Sequence, residues 1–443
     1  MLDPMYFENY GEPVDFEVNE KEKENVLVPN YVVNIFSAIA VLATCAIVSK
    51  VAVNSFSRIH HAKRDVAATN DSSSSLLIRL DTPQDLNPDL IHPDWREILP
   101  SPRPIFCFVN REGFIRLPPD HIELASFPGY YCTHMIHKSL LWSNDTFELY
   151  ADAIDDAILR QLTSVRHSLY PHWNVLANAF VGKNGSSKLQ DPALFINLRT
   201  WLQVRNLDGV NLDFDQGFFE DDPRAAAQTA LRFFANVKKS SLWSNITVTV
   251  TIPHNAAVIL ADGLTEYVSY VFIKTHGLLS DFNGKTQLAA PLDDISLIHH
   301  VSSARTVMSV LNGLEKYLNK KTCFTVAVSG ISFTLSDPRH SSVGAAVDQS
   351  PPTMVSFSDV CSDGPGRKKV VEDDAVYSVT GTNWVTHEDQ FTVFEKVAKI
   401  LRHWEFMCIG VMDVDLDDVR GSCGRVFPLL QRIYETSYIL RYY

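Results

Sequence analysis

The stretch Leu207–Asp215 reads LDGVNLDFD and carries polar side chains at alternate positions, Asn211, Asp213 and Asp215. In an extended strand, side chains two residues apart project from the same face, so these three groups would form a row. The carboxyl ends of the strands in a parallel barrel collect polar residues of this kind and form the active face. The spacing therefore predicts a buried strand that delivers a row of polar groups to a functional site.

The rest of the chain supplies the elements that would position this row. From Pro104 onward, eight short apolar segments fit β-strands: Ile105–Val109, Tyr131–Ile136, Trp173–Phe180, Gly209–Phe214, Ile246–Ile252, Val268–Ile273, Phe324–Ile331 and Cys408–Val414. Between them lie apolar stripes with helical spacing: Leu194, Phe195, Leu198, Trp201 and Leu202, then Val307, Val310, Leu311, Leu314 and Leu318. This alternation predicts an α/β fold, a (β/α)8 barrel with an insertion.

The chain before Pro104 divides into three parts by composition. Residues 1–25 hold eight carboxylates and two lysines, −6 of the net charge of −13, and predict an acidic disordered tail. The charge-free run Asn25–Ser49 is long enough for a bilayer-spanning helix, so 26–53 is predicted as a transmembrane helix, with a buried core helix as the alternative. Residues 54–103 predict a stalk, and 104–443 the barrel domain. The acidic net charge gives no reason to expect nucleic-acid binding.

Several stretches resemble the motifs of one enzyme family, in the family's order. Asp208–Asp215 resembles the signature D-G-x-D-x-D-x-E of glycoside hydrolase family 18, the chitinases, with matches at Asp208, Gly209 and Asp213. Three further stretches resemble its motifs at strands two, seven and eight: Cys132–His134, Val328–Leu335 and Asp415–Gly424. The resemblance covers 104–432 and implies a TIM barrel with a small α+β insertion at 337–389, between strands 7 and 8.

The resemblance implies substrate-assisted cleavage of chitin, in which a glutamic acid protonates the leaving oxygen and the substrate's own acetamide attacks the anomeric carbon. Asp215 replaces the glutamic acid and Asp213 is the aspartate that orients the acetamide, so these two are the candidate catalytic residues. His276 replaces a tyrosine that holds the carbonyl, and Met412 replaces the tryptophan beneath the sugar. The candidate ligand-binding residues are Asp208, Asn211, His276 and Met412.

The sugar site departs from the family pattern at several positions at once. Asp215 is one methylene shorter than glutamate, and a misplacement of about 1 Å can cost on the order of 100-fold in rate. Asn211 cannot ionise, while His276 and Met412 lack the hydroxyl and the indole face. We therefore predict a chitinase-like protein without efficient hydrolysis, with no cofactor or metal, that binds chitin or N-acetylglucosamine-containing glycans. The alternatives are a weak chitinase that uses Asp215 as general acid, and a protein-interaction scaffold whose partner the sequence does not name.

These residues also have structural interpretations, which the sequence leaves open. Asp208 and Gly209 suit packing at the strand entry, and Asp213 suits a hydrogen-bonded core carboxylate. A histidine near a strand end, such as His137 or His276, often has a structural role. Four aspartates near the chain's end predict a solvated turn in preference to a cation site: Asp413, Asp415, Asp417 and Asp418.

The cysteines bear on the compartment. Two pairs fall where similar family 18 chitinases carry disulfides, which implies the bonds Cys107–Cys132 and Cys361–Cys423. The other three are predicted to be buried thiols: Cys45, Cys323 and Cys408. Because disulfides need an oxidising compartment, we predict a single-pass membrane protein with a lumenal or extracellular barrel, although basic residues after the span favour the opposite orientation. Four sequons are candidate glycosylation sites: Asn70, Asn144, Asn184 and Asn245.

Overall fold

The computed structural model describes residues 101–440, except 102, 125–126, 143–148, 184, 280–283, 294–305, 349, 362–367 and 373–374. The segments predicted as tail, span and most of the stalk lie outside the described residues. So do Cys45 and three of the four sequon asparagines: Asn70, Asn144 and Asn184.

The predicted membrane localisation is contradicted. In the described part of the chain, no helix has both the length and the apolar character that crossing a bilayer requires. The prediction depended on a run without charges, but that run also contains Pro29, Asn30, Asn34 and Ser37, so it is less apolar than its lack of charge suggests. The membrane contact assigned to 26–53 and the prediction of a single-pass membrane protein with a lumenal or extracellular barrel are withdrawn.

Eight parallel strands close into the predicted barrel. They are β1 (Ile105–Asn110), β2 (His134–Trp142), β4 (Asn174–Val181), β5 (Gly209–Phe214), β6 (Thr247–Ile252), β7 (Tyr270–Ile273), β8 (Thr322–Ala327) and β14 (Cys408–Met412), with a short β3 (Leu149–Tyr150) antiparallel to the end of β2. The barrel order is β1–β14–β8–β7–β6–β5–β4–β2, and β2 pairs with β1 to close it. The carboxyl ends of all eight strands therefore meet at one face.

Ten helices are present among the described residues. They are α1 (Glu112–Ile115), α2 (Ala153–Ser168), α3 (Gly185–Leu189), α4 (Pro192–Val204), α5 (Pro223–Lys239), α6 (His254–Tyr267), α7 (Val307–Gly313), α8 (Phe357–Cys361), α9 (Gln390–His403) and α10 (Pro428–Ile439). The predicted stripe on α4 is confirmed, since Leu194, Leu198 and Leu202 are buried. The second stripe spans α7 and a 3-10 turn, because Asn312 and Gly313 are weak helix formers.

Alternation along the barrel strands separates two apolar layers. The outward side chains pack against the helices, and the inward ones form a separate cluster: Phe106, Phe108, Ile136, Leu176, Phe272, Cys323, Cys408 and Met412. The ring of Phe272 contacts those of Phe106 and Phe108 edge-on, with centroids 4.8 Å and 5.2 Å apart. Aromatic and aliphatic side chains thus fill the barrel centre beneath its carboxyl face.

The insertion lies between β8 and β14, as predicted, and forms a five-stranded antiparallel sheet. Its strands are β9 (Gly330–Thr334), β10 (Thr353–Val355), β11 (Lys368–Glu372), β12 (Ala375–Thr380) and β13 (Asn383–His387), in the order β10–β9–β13–β12–β11. The sheet starts earlier than 337, because β9 begins inside the segment predicted as the seventh barrel strand. Apolar residues continue through Val328 and Ile331, so the pattern did not reveal the break at Ser329.

Both predicted disulfides are present, and a third corrects the prediction of buried thiols. Cys107–Cys132 and Cys361–Cys423 have Cα atoms 5.9 Å and 5.8 Å apart. Cys323 and Cys408 are also bonded, with Cα atoms 4.3 Å apart. They are register partners on the adjacent strands β8 and β14. Because 85 residues separate them in the sequence, the pairing follows only from the strand order of the barrel.

Candidate functional site

The β5 row reaches the barrel interior, but its members have different surroundings. Asn211 is fully buried: its Nδ2 donates to Asn178 Oδ1 (2.6 Å) and Thr251 Oγ1 (3.0 Å). Its Oδ1 accepts from Thr249 Oγ1 (2.8 Å) and Thr251 Oγ1 (3.3 Å). Because both amide hydrogens and both acceptor positions are engaged, Asn211 completes a buried polar layer and has no bonding capacity left for a ligand.

Asp213 lies one layer higher, at the carboxyl face, and pairs with a lysine. Its Oδ1 is 2.8 Å from Nζ of Lys274, just beyond β7, in an ion pair that lacks the alignment of a hydrogen bond. Nζ of Lys274 also donates to the carbonyl of Phe214, at 3.4 Å. Asp213 is only 8% exposed, so this ammonium provides the charge compensation that a buried carboxylate requires.

Asp215 follows the end of β5 and turns toward its own loop. Its Oδ1 accepts from the backbone N–H of Phe218 (2.9 Å), which caps the 3-10 turn Gly217–Phe219. A Cβ on Gly182 would lie 3.0 Å from Phe180 Cε1 and 3.5 Å from Asp215 Oδ2, so the ring and the carboxylate border the same glycine. Burial raises the pKa of Asp215, and the nearby Asp213 adds to this, although the Phe218 N–H and Lys274 oppose it.

A second lysine–aspartate pair stands at the same face. Lys138 occupies an inward position of β2, and Asp413 directly follows Met412 in the sequence. Nζ of Lys138 donates to Asp413 Oδ1 (2.9 Å). Asn110 Nδ2 (3.1 Å) and Ser329 Oγ (3.2 Å) also donate to Asp413. Burial alone would raise the pKa of Asp413, but Lys138 and Asn110 stabilise the carboxylate and lower the pKa to about 2.

His276 lies beside these two pairs and stays neutral near pH 7. Its Nδ1 is 2.7 Å from Thr325 Oγ1 on β8. Burial lowers the pKa of His276 to about 4; Asp413 and Asp213 oppose this shift, whereas Lys274 and Lys138 add to it. Met412 is 2% exposed and packs with the barrel interior, so it offers no surface on which a sugar could stack. The face therefore combines a neutral imidazole with charge pairs that largely compensate one another.

Asp208 lies at the opposite end of the strand from the other candidates. Its carboxylate accepts from Val175 N (2.7 Å) and pairs with Arg166 of α2. These contacts tie the amino end of β5 to β4, which favours the packing interpretation. Gly209 supports it, since an added Cβ would lie 2.0 Å from the Thr247 carbonyl oxygen.

His137 also lies apart from His276. It points outward from β2, where its Nε2 is 3.0 Å from Asp155 Oδ1 of α2. The exposed Asn245 lies in the turn before β6, away from the barrel interior.

The aspartates predicted to form a solvated turn are buried, so that prediction is wrong. Asp415 pairs with Arg116 (2.8 Å), Asp417 accepts from Leu430 N at the start of α10 (2.9 Å), and Asp418 accepts from Cys423 N (2.6 Å). Their carboxylates satisfy donors of this chain. Asp418 also lies near Cys361 and Cys423, but those sulfurs are joined in a disulfide and offer no thiolate to a metal.

The residues that sequence reasoning missed are the two lysines. Lys138 and Lys274 each follow an inward apolar residue by two positions, Ile136 and Phe272, so strand alternation places both inside the barrel mouth. A lysine at such a position needs a buried partner, which was the available signal.

Comparison with known proteins identifies the family. The family model for glycosyl hydrolases family 18 matches residues 105–417. A putative chitinase 2 of Margaritifera margaritifera is 22% identical over 369 residues, 74% of this chain and 75% of that protein. Among solved structures, a Group IV chitinase of Ostrinia furnacalis superposes with a TM-score of 0.65 at 17% identity, over 76% of this chain and 99% of that one.

Human YKL-39, described as a pseudo-chitinase that retains chitooligosaccharide binding, superposes with a TM-score of 0.64. It is 17% identical, over 75% of this chain and 99% of that one. At this identity the solved structures show the fold, while the family model covers most of the chain with its motifs in order. The chain therefore belongs to glycosyl hydrolase family 18.

Proposed function

We propose that this chain is a chitinase-like protein that binds N-acetylglucosamine oligomers at the carboxyl face of its barrel without hydrolysing them efficiently. The observation that carries the proposal is how the two candidate catalytic carboxylates are engaged. Asp213 pairs with Lys274, and Asp215 caps its own loop through Phe218 N. A general acid must lie within hydrogen-bonding reach of the leaving oxygen, and the shorter Asp215 carboxylate is already oriented by its contact with Phe218 N in its own loop.

Two considerations support a glycan as the ligand. The chain keeps the family's barrel and insertion. YKL-39, which has a similar fold, is described as a pseudo-chitinase that retains chitooligosaccharide binding. The carboxyl face also holds several polar groups in a small space, as ligand sites of parallel barrels do. Aromatic stacking contributes less than in ordinary sugar sites, because Met412 replaces the tryptophan beneath the sugar and is buried. His276 also lacks the tyrosine hydroxyl that holds the carbonyl. We therefore expect modest affinity.

Calorimetric titration of the full chain with N-acetylglucosamine pentamer tests the proposal. Saturable binding is expected, with a Kd between about 10 µM and 1 mM, a range typical of ligands held by a few hydrogen bonds. Cellopentaose, which lacks the acetamide groups, serves as the matched control ligand and should bind more weakly. Absence of saturable pentamer binding would contradict the proposal and favour an interaction scaffold.

The weak-chitinase alternative has one observation in its favour. Burial raises the pKa of Asp215, the direction that a general acid requires. If Asp215 donates the proton, Asp215→Asn should abolish whatever turnover the wild type shows, while Asp221→Asn, a change at an exposed carboxylate in the next loop, should leave it intact. Equal residual turnover in both variants would eliminate Asp215 as the acid.

A further inference from the structure

The position of Lys274 bears on how a sugar would reach this site. Its stem leaves the end of β7 and its ammonium lies on the Asp213 carboxylate, with the Phe214 carbonyl as a second acceptor. The Lys274 side chain is 24% exposed, whereas that of Asp213 is 11% exposed. The lysine is therefore the more solvent-accessible member of the pair.

The chemistry of the pair favours the lysine over a sugar. A ligand hydroxyl or amide N–H that approaches Oδ1 of Asp213 competes with the ammonium for the position 2.8 Å from that oxygen. A neutral donor forms a weaker bond to a carboxylate than an ammonium does, and displacing Lys274 would leave two charges without their partner. Asp215 is the other carboxylate near Lys274, and its Oδ1 already accepts from Phe218 N.

We infer that Lys274 is a specificity-determining residue that acts as a built-in competitor for Asp213 and lowers the affinity of the barrel for neutral sugars. This inference rests on the proposed glycan-binding function and adds a chain-specific device to it. The Lys274 ammonium contacts Asp213 as a donor group of a ligand would. Oligomers therefore bind mainly through protein groups that lie farther from Asp213. Removal of the ammonium should expose Asp213 as an acceptor for a sugar hydroxyl or amide.

The test compares three variants of the full chain with wild type by calorimetric titration with N-acetylglucosamine pentamer. Lys274→Met removes the ammonium and keeps an unbranched side chain of similar length. Lys274→Gln also removes the charge but can still donate to Asp213, which guards against a folding defect from an unpaired buried carboxylate. Lys183→Met is the matched control, since Lys183 is 59% exposed and pairs only loosely with Glu220 and Asp221, at 3.5 Å and 3.6 Å. Circular dichroism and thermal unfolding confirm that each variant is folded.

The expected result is about tenfold tighter binding for Lys274→Met, the gain that one additional hydrogen bond from the ligand to the freed Asp213 carboxylate would give. Lys274→Gln should show a smaller gain and Lys183→Met none. Folded Lys274 variants that bind no more tightly than a wild type that itself binds would overturn this inference alone. Binding by Lys274→Met but not by wild type would support the inference and contradict the proposed function. Binding by none would overturn both.

Discussion

The existing hydrogen bonds and ion pairs of each carboxylate decide the chemistry at the barrel mouth. Asp215→Glu restores the residue that the family signature has, but we expect no recovery of hydrolysis. The longer acid leaves Lys274 on Asp213, His276 in place of a tyrosine and Met412 inside the core. General acid catalysis contributes about 10²–10⁴-fold only when the substrate is already in reactive geometry.

The assay is release of shorter oligomers from N-acetylglucosamine pentamer, followed by mass spectrometry over a day. Asp215→Asn is the matched control, and both variants should match the wild type within error. Substantial turnover by Asp215→Glu alone would show that the missing methylene, and not the surroundings, inactivates this site.

His276 predicts a pH dependence of stability. Its pKa is about 4 in the folded chain and near 6.5 when unfolded, so the unfolded chain binds the proton first. The contribution of neutral His276 to the free energy of unfolding is complete above pH 6.5. It is lost as the pH falls toward 4, which lowers the free energy of unfolding by roughly 2–3 kcal/mol. His134, whose pKa burial also lowers to about 4, contributes in the same window.

Urea denaturation at pH 7 and at pH 4.5 measures this effect. The free energy of unfolding should fall less between these values in His276→Gln than in wild type, because the variant no longer gains a proton at this position. His340→Gln, at an exposed histidine, serves as the control and should behave as wild type. An identical fall in His276→Gln and wild type would contradict the buried, neutral state of His276.

At the candidate site, the sequence predicts Asp213 at the carboxyl end of a barrel strand, where the structure has it, and the roles of Asp213 and Asp215 stay predictions. It could not show that Asn211 is fully bonded or that Asp208 lies at the far end with Arg166, since both depend on neighbouring strands. Nor could it pair Lys138 with Asp413, which are 275 residues apart. Motif alignment identifies equivalent positions, whereas partners follow from barrel register.

Among the elements, β5 depends on a glycine at its entry. Gly209→Ala should lower the free energy of unfolding by about 1–3 kcal/mol, because the new Cβ would lie 2.0 Å from the backbone oxygen of Thr247 on β6 and the strands must shift. Chemical denaturation measures the change. Gly313→Ala at the end of α7 is the matched control, since its Cβ would meet nothing within 4 Å. A Gly209→Ala protein as stable as wild type would show that β5 and β6 separate easily.

The barrel strands were predictable because each is a short apolar run between amphipathic helices, and seven of the eight predicted segments overlap one observed strand each. The segment Phe324–Ile331 instead covers the end of β8 and the start of β9. Because apolar residues lie on both sides of the turn at Ser329, the composition of the segment does not indicate the turn. The local sequence pattern thus located the strands, whereas tertiary contacts determine where β8 ends and β9 begins.

For the molecule as a whole, the third disulfide joins the last two barrel strands in sequence order. Peptide mapping without reduction should recover Cys323 linked to Cys408. Replacement of both by alanine should lower the free energy of unfolding by about 2–4 kcal/mol, in line with a loop of 85 residues. Recovery of both as alkylated thiols from unreduced, denatured protein would contradict this bond.

Binding without efficient hydrolysis can be checked in a single experiment on the full chain. N-acetylglucosamine pentamer is titrated into the protein to saturation, and the same sample is then incubated at room temperature and analysed for shorter products by mass spectrometry. We expect saturable binding, and we expect the pentamer to stay intact because Asp213 pairs with Lys274 and Asp215 accepts from Phe218 N. Conversion of the bound pentamer at the turnover typical of enzymes, about 1 s⁻¹ or faster, would contradict this expectation.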